Sequence, residues 1–274
     1  MLLLGASVKA GGPAVGYHAR MTTHGAGGQP LVIVIGRGHS GTRAISRTLC
    51  ESGVFMGETL NGSYDLVPAE DLYAACRLAA RHVVHRGGTD WDFTSLFEAP
   101  VDDAFERLVR SYARSVLEHA DGPRGWKLPE TTLILPWIVR LFPHAFYISW
   151  VRDPRDSIAG EHLTDDLADF GVPYERTDDV REMRAASWKY QREIVAATPR
   201  PARWIDVRFE DFVLDQDATL TRLERFLGIP LVRVPVQPEA VGRWRTDAAH
   251  RDIGFLQDDL RALGYLDDAL GGQT

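Results

Sequence analysis

Residues 31–49 read LVIVIGRGHSGTRAISRTL. An apolar, β-branched run over Leu31–Ile35 enters a polar glycine turn, and a helical pattern follows from Ala44 to Ser52. This arrangement makes an anion site. The first helical turn leaves N–H groups without partners, and the helix dipole adds positive potential there. Arg37, Gly38, His39, Ser40, Gly41, Thr42 and Arg43 are therefore candidates to hold a phosphate-like group. Two glycine patterns overlap in the turn. Gly36, Gly38 and Gly41 fit G-x-G-x-x-G, with Glu58 near the distance at which a dinucleotide fold places its ribose-binding acid. Gly36 and Gly41 also fit the nucleotide P-loop, yet Thr42-Arg43 follow where that motif needs Lys-Ser/Thr. A magnesium-nucleotide hydrolase is disfavoured. The polar side chains favour phosphate over the small apolar turn of a dinucleotide site.

Residues 147–160, YISWVRDPRDSIAG, repeat the idea. A buried strand ends at Arg152, Asp153 is a good N-cap and Pro154 a good first helical residue. Arg152, Arg155 and Ser157 then surround a helix start, where a guanidinium offers a rigid fork to phosphate. Pairing of Arg152 with a neighbouring acid is the alternative. Two such units in one sheet point to one ligand with two separate phosphates.

The elements that must position these loops alternate. Helices are expected over 68–86, 101–120, 131–141, 178–197 and 218–227, and strands over 124–128, 144–151 and 202–209. Residues 165–179 read as an acidic loop or lid. Strands separated by helices imply crossover connections, hence an α/β chain with a parallel sheet covered on both faces. Residues 1–30 hold seven glycines and read as a flexible tail, leaving 31–274 as a single domain.

Composition narrows the classes. The 274 residues carry a net charge of −7, and only three of the 31 basic residues are lysine (Lys9, Lys127, Lys189). An acidic balance argues against a general nucleic-acid surface. No apolar run is long enough to span a bilayer. Cys50 and Cys76 cannot build a disulfide framework, no spacing suggests a metal site, and a reducing cytoplasm is expected.

Taken together, the motifs resemble the sulfotransferases that use 3′-phosphoadenosine 5′-phosphosulfate (PAPS). GRGHSGTR (36–43) resembles the family's 5′-phosphosulfate loop and YISWVRDPRDSIAG its 3′-phosphate segment. GWKLPETTLILP (125–136) resembles the middle segment carrying a lysine and often the base. RFEDFVLDQDATLTRLERFLGIP (208–230) and VGRWR (241–245) resemble later segments, the last a nucleotide-contacting loop. The resemblance implies a three-layer P-loop-type fold and transfer of a sulfuryl group from PAPS to a hydroxyl or amine of a small-molecule or carbohydrate acceptor. It implies no metal. On the donor it places residues 37–43, Arg152, Ser157 or Gly160, and Arg243, Trp244 and Arg245. Three positions depart from the pattern: His39 replaces a Lys or Arg, Gly160 a serine, and Ala44 an adenine-stacking tryptophan.

In-line transfer needs a base, charge at the leaving oxygen, and alignment. Lys127, His39 and Arg43 are the candidate cations. Glu130 is the first candidate base, with Asp65 and Glu58 as alternates. A P-loop kinase using ATP, an NAD-type oxidoreductase and a non-catalytic nucleotide-binding remnant are the rival readings.

Overall fold

The computed structural model describes residues 29–246 and 254–266. The expected tail lies outside the described residues apart from Gln29 and Pro30. Six strands are present among these residues: β1 Leu31–Ile35, β2 Val84–Gly87, β3 Asp90–Asp92, β4 Arg124–Lys127, β5 Phe146–Val151 and β6 Trp204–Arg208. The main sheet has order β4-β1-β5-β6 and every neighbour is parallel. Its helices are α1 Thr42–Glu51, α2 Glu70–Ala80, α3 Thr94–Glu98, α4 Asp103–Tyr112, α5 Arg114–Glu118, α6 Leu135–Leu141, α7 Pro154–Ser157, α8 Val180–Ala197, α9 Phe209–Leu214, α10 Gln216–Leu227 and α11 Gln257–Ala262.

The unbroken apolar run of β1 has a simple cause. Side chains alternate across a strand. Ile33 and Ile35 join one core with Trp126, Tyr147 and residues of α2, α4 and α6, whereas Val32 and Val34 join another with Ile45, Ile148, Phe212 and Leu223. Both faces are covered, so no position can be polar. The chain is an α/β protein with a central parallel sheet between helical layers, as expected.

Several boundaries differ from expectation. The helix over 68–86 stops at Ala80, and residues 84–92 form a small antiparallel hairpin of β2 and β3. Gly87 and Gly88, at φ 111° and 56°, supply the turn that a helical reading ignores. The helix over 101–120 breaks at Ala113 into α4 and α5. Residues 129–134 are a 3₁₀ turn rather than α-helix. Strand β6 ends before Phe209, which opens α9. The 165–179 segment carries a 3₁₀ turn over Leu167–Phe170, just after another over Leu163–Asp165.

Candidate active site

The carboxyl ends of β4, β1, β5 and β6 deliver their loops to one edge of the sheet, where ligands of open α/β sheets bind. The glycine loop after β1 folds on itself through Ser40 N–H to the Arg37 carbonyl (3.2 Å) and Ala44 N–H to the Gly41 carbonyl (3.0 Å). His39 and Gly41 take left-handed φ values of 59° and 84°. Gly41 caps α1 with no side-chain bond, and the first turn holds no acid, so among the described residues no capping side chain or first-turn carboxylate competes for an anion there. Glycine is required at Gly38 and Gly41 by the protein's own packing. A Cβ at Gly38 would meet the His162 ring at 2.0 Å, and one at Gly41 the Phe209 ring at 2.4 Å.

Arg37 is buried and turned inward. It donates to the carbonyls of Gly38 (3.1 Å) and Ser157 (2.9 Å) and pairs with Asp165. Burial pulls its guanidinium down to about 10, with the Asp165 charge opposing. Its geometry is that of a bolt between the glycine loop and the 157–165 segment. Arg43 lies outside, bound through Nε and a terminal nitrogen to the Gly62 carbonyl.

The second unit converges on the first. Arg152 donates to the His39 carbonyl (3.1 Å) and to the Ala240 carbonyl, pairs with Asp156 (3.2 Å) and stacks on Phe209. Asp156 in turn accepts the N–H groups of Gly242 (2.8 Å) and Trp244 (2.9 Å). One arginine and one aspartate thus bring residues 36–43, 152–157 and 240–245 together. Arg155 pairs with its own cap, Asp153, and lies 3.7 Å over the Trp244 ring. The Ser157 hydroxyl is fully buried and donates to the Asp153 carbonyl. The sequence alternative for this segment, Arg152 paired with a neighbouring acid, is what the geometry shows. Arg243 and Arg245 stay exposed, Arg245 stacking on Trp244.

His39 and Gly160, two of the three departures from the family pattern, touch. A Cβ at Gly160 would fall 2.4 Å from His39 Nδ1. The ring occupies the space a serine would need.

Across the loop stands a carboxylate wall. Gly36 N–H donates to Thr132 Oγ1 (2.9 Å), which fixes the 3₁₀ turn bearing Glu130. Glu130 is 1% exposed and its Oε2 has no hydrogen-bond partner. Burial pushes its carboxyl up to about 7; the Asp65 charge adds to this and Lys127 opposes it. Lys127 is buried, donating to the Ser63 carbonyl (2.8 Å) and to Asp65. Burial holds its ammonium below the usual lysine range. Asp65 also accepts from Asn61 Nδ2 (2.9 Å). Glu130, Lys127 and Asp65 are therefore one cluster. Glu58 is not in it: it is exposed and lines a separate groove with Arg114 and Glu118.

His162 was not found from sequence. Its Nδ1 accepts Thr164 N–H (3.2 Å), which leaves the ring proton on Nε2, 4.0 Å from Glu130 Oε1. Burial and the Arg37 charge lower it to about 4, so the imidazole is neutral. Asp165, read as part of an acidic loop, is buried and accepts from Arg37, Arg184 (2.9 Å) and His162 N–H (2.8 Å). His162 had no sequence signal and Asp165 only its place in an acidic loop, because both act through contacts distant along the chain.

No curated protein matches the sequence. Solved structures do. A sulfotransferase domain from the Synechococcus PCC 7002 olefin synthase aligns with a TM-score of 0.54 at 16% identity, over 89% of this chain and 97% of that one. A sulfotransferase domain from the curacin biosynthetic pathway aligns at 0.46 and 19% identity, over 81% of each chain. A sulfotransferase from Alicyclobacillus acidocaldarius aligns at 0.44 and 15% identity, over 87% of this chain and 97% of that one. Residues 30–233 match the model of the sulfotransferase family, and the chain belongs to that family.

Proposed function

We propose that the protein transfers a sulfuryl group from PAPS to a hydroxyl or amine of a small-molecule or carbohydrate acceptor, with Glu130 as general base. One observation carries the reading. A buried carboxyl with a free Oε2 and an affinity for protons near neutrality stands across Gly38 and His162 from an uncapped helix start. That combines a proton acceptor with an anion seat in one edge of the sheet.

The residues fit the donor. The helix start has no competing acid, and Arg243 and Arg245 stand exposed one loop away. N–H groups at the head of α1, with Gly38, His39, Ser40, Gly41, Thr42 and Arg43, would hold the 5′ end. Arg243, Trp244 and Arg245 would hold the 3′ end, with Gly160 at its margin. PAPS, when bound, supplies the sulfuryl group and leaves as adenosine 3′,5′-bisphosphate. Arg37, Arg152 and Ser157 are committed to internal bonds, and their role is to fix the shape of this seat. Glu130 takes the acceptor proton on Oε2. Lys127 supplies positive charge from a fixed position, since Asp65 and the Ser63 carbonyl hold its ammonium. Asp65 is the second carboxylate of the cluster, and its bond to Lys127 suits it to positioning rather than to proton transfer.

Among the described residues no cluster suited to a metal ion is present, and no helix is long and apolar enough to cross a membrane. Both cysteines are free, in keeping with a cytoplasmic enzyme. The deciding experiment is a thermal-shift comparison of adenosine 3′,5′-bisphosphate, ATP-Mg and NAD. Stabilisation by the bisphosphate above the other two supports the reading. A response to NAD alone would overturn it.

A further inference from the structure

A cleft of about 940 Å³ leads from Glu130 outward to α8. Leu163 and Val180 stand on its wall 61% and 50% exposed, with Met183 beside them. Large apolar side chains left in water together at a cleft mark a surface that a ligand covers. The charge of the cleft is one-sided. Asp65, Glu130, Glu161, Asp165, Asp166 and Asp169 line it, against the single cation Arg184. Arg184 is spent on Asp165, while Lys127 serves Asp65 and Arg176 serves Asp166. Glu161 and Asp169 are exposed and form no ion pair among the described residues. An anionic acceptor would find the one cation that lines the cleft already paired, with Arg77 outside it held through Nε on the Asp169 carbonyl (2.9 Å), and would face two exposed carboxylates. The unpartnered Oε2 of the buried Glu130, on the inner wall, is an independent sign that a polar group of the ligand belongs there.

The geometry points to an acceptor with an apolar body and no negative charge, an ammonium-bearing hydroxyl compound being preferred. Its body rests on Leu163, Val180 and Met183, its hydroxyl reaches Glu130, and its cation faces Asp169 and Glu161. This rests on the sulfotransferase reading above and names the substrate class for the same site.

Three phenols of one scaffold test it: tyramine, 4-ethylphenol and 3-(4-hydroxyphenyl)propanoate. Their binding is measured by calorimetry on the enzyme saturated with adenosine 3′,5′-bisphosphate, and their kcat/KM with PAPS. Tyramine is expected to lead the propanoate by about tenfold or more, with 4-ethylphenol between them. Asp169→Lys should narrow that gap at least about threefold, and Leu163→Ser should weaken all three alike. The inference fails if the propanoate matches tyramine, if none of the three binds, or if Asp169→Lys leaves the gap unchanged. Failure of the bisphosphate to bind is a separate result. It would sink the sulfotransferase reading, while the ranking of the phenols on the free protein still decides the charge preference.

Discussion

A carboxyl that keeps its proton to about pH 7 is an acid below that value and a base above it. Burial puts Glu130 in this position, because no hydrogen bond reaches its Oε2. Turnover of the wild-type enzyme should therefore rise with pH through about 7 as Glu130 loses its proton. Glu130→Gln should lower kcat by roughly 10²–10⁴ and remove that limb while bisphosphate affinity is kept. The same burial fixes the sign of a stability effect. The folded carboxyl holds a proton that the unfolded chain releases near its ordinary 4.5, so its contribution is full below 4.5 and lost as pH rises to about 7. Glu130→Gln lacks this loss. At pH 8 it should unfold at a higher temperature than wild type, by up to ~3 kcal/mol of stability, and the advantage should vanish by about pH 4. Equal melting curves at pH 8 would show that the carboxyl is not strained by burial. The contact of His39 with Gly160 gives a second test at this scale. Gly160→Ser restores a family residue yet drives a Cβ to 2.4 Å from His39 Nδ1. It should weaken bisphosphate binding, and adding His39→Ala should recover much of the loss. No recovery in calorimetry would separate the two positions.

At the scale of elements, the site is held by pins between loops. Arg37 and Asp165 form a buried pair that ties the turn after β1 to the turn ahead of α8, and Asp165 also receives Arg184 and the His162 N–H. Removing one partner of a buried pair leaves the other charge uncompensated, at a cost of about 3–5 kcal/mol. Asp165→Ala should lower the melting temperature by roughly 10 °C, on the scale of about 2–4 °C per kcal/mol for a chain of this size. A change under about 2 °C would mean that water takes over the role of Asp165. These pins also explain what the sequence could and could not say. β1 and β5 were legible because strands buried on both faces must be continuously apolar. The glycine turn was legible because left-handed positions and an uncapped helix start leave a local signature. The hairpin of β2 and β3 was missed because Val83 and Val84 continue a helical spacing that only the Gly87-Gly88 turn interrupts. The contacts of His162 with Gly38 and of Asp165 with Arg37 were not legible, because nothing near either residue in sequence shows them. Glu130 was named for its place three residues after Lys127. Its proximity to neutral titration comes from burial, which sequence does not display.

Across the whole molecule, net charge says little about where charge acts. Of the basic residues in the motif loops, Arg37, Arg152, Arg155 and Lys127 are each paired with a carboxylate, namely Asp165, Asp156, Asp153 and Asp65. The positive charge of the motif loops is thus largely neutralised by the same chain that is −7 overall. Arg43, Arg243 and Arg245 remain, all exposed and without a carboxylate partner among the described residues. Paired, buried cations set geometry and are shielded from salt, whereas exposed ones act through a field that salt screens over about 8–10 Å. The salt dependence of bisphosphate binding should therefore reside in these three residues. Arg243→Ala with Arg245→Ala should cost roughly tenfold in affinity at low ionic strength, with a smaller loss at about 0.5 M salt. Arg152→Lys should behave differently. It keeps the charge but cannot serve the His39 and Ala240 carbonyls with one planar fork, so its loss should be as large at high salt as at low. Titrations of both variants at two salt concentrations distinguish the roles. If the double variant loses affinity equally at both, the exposed arginines act by direct contact rather than through their field.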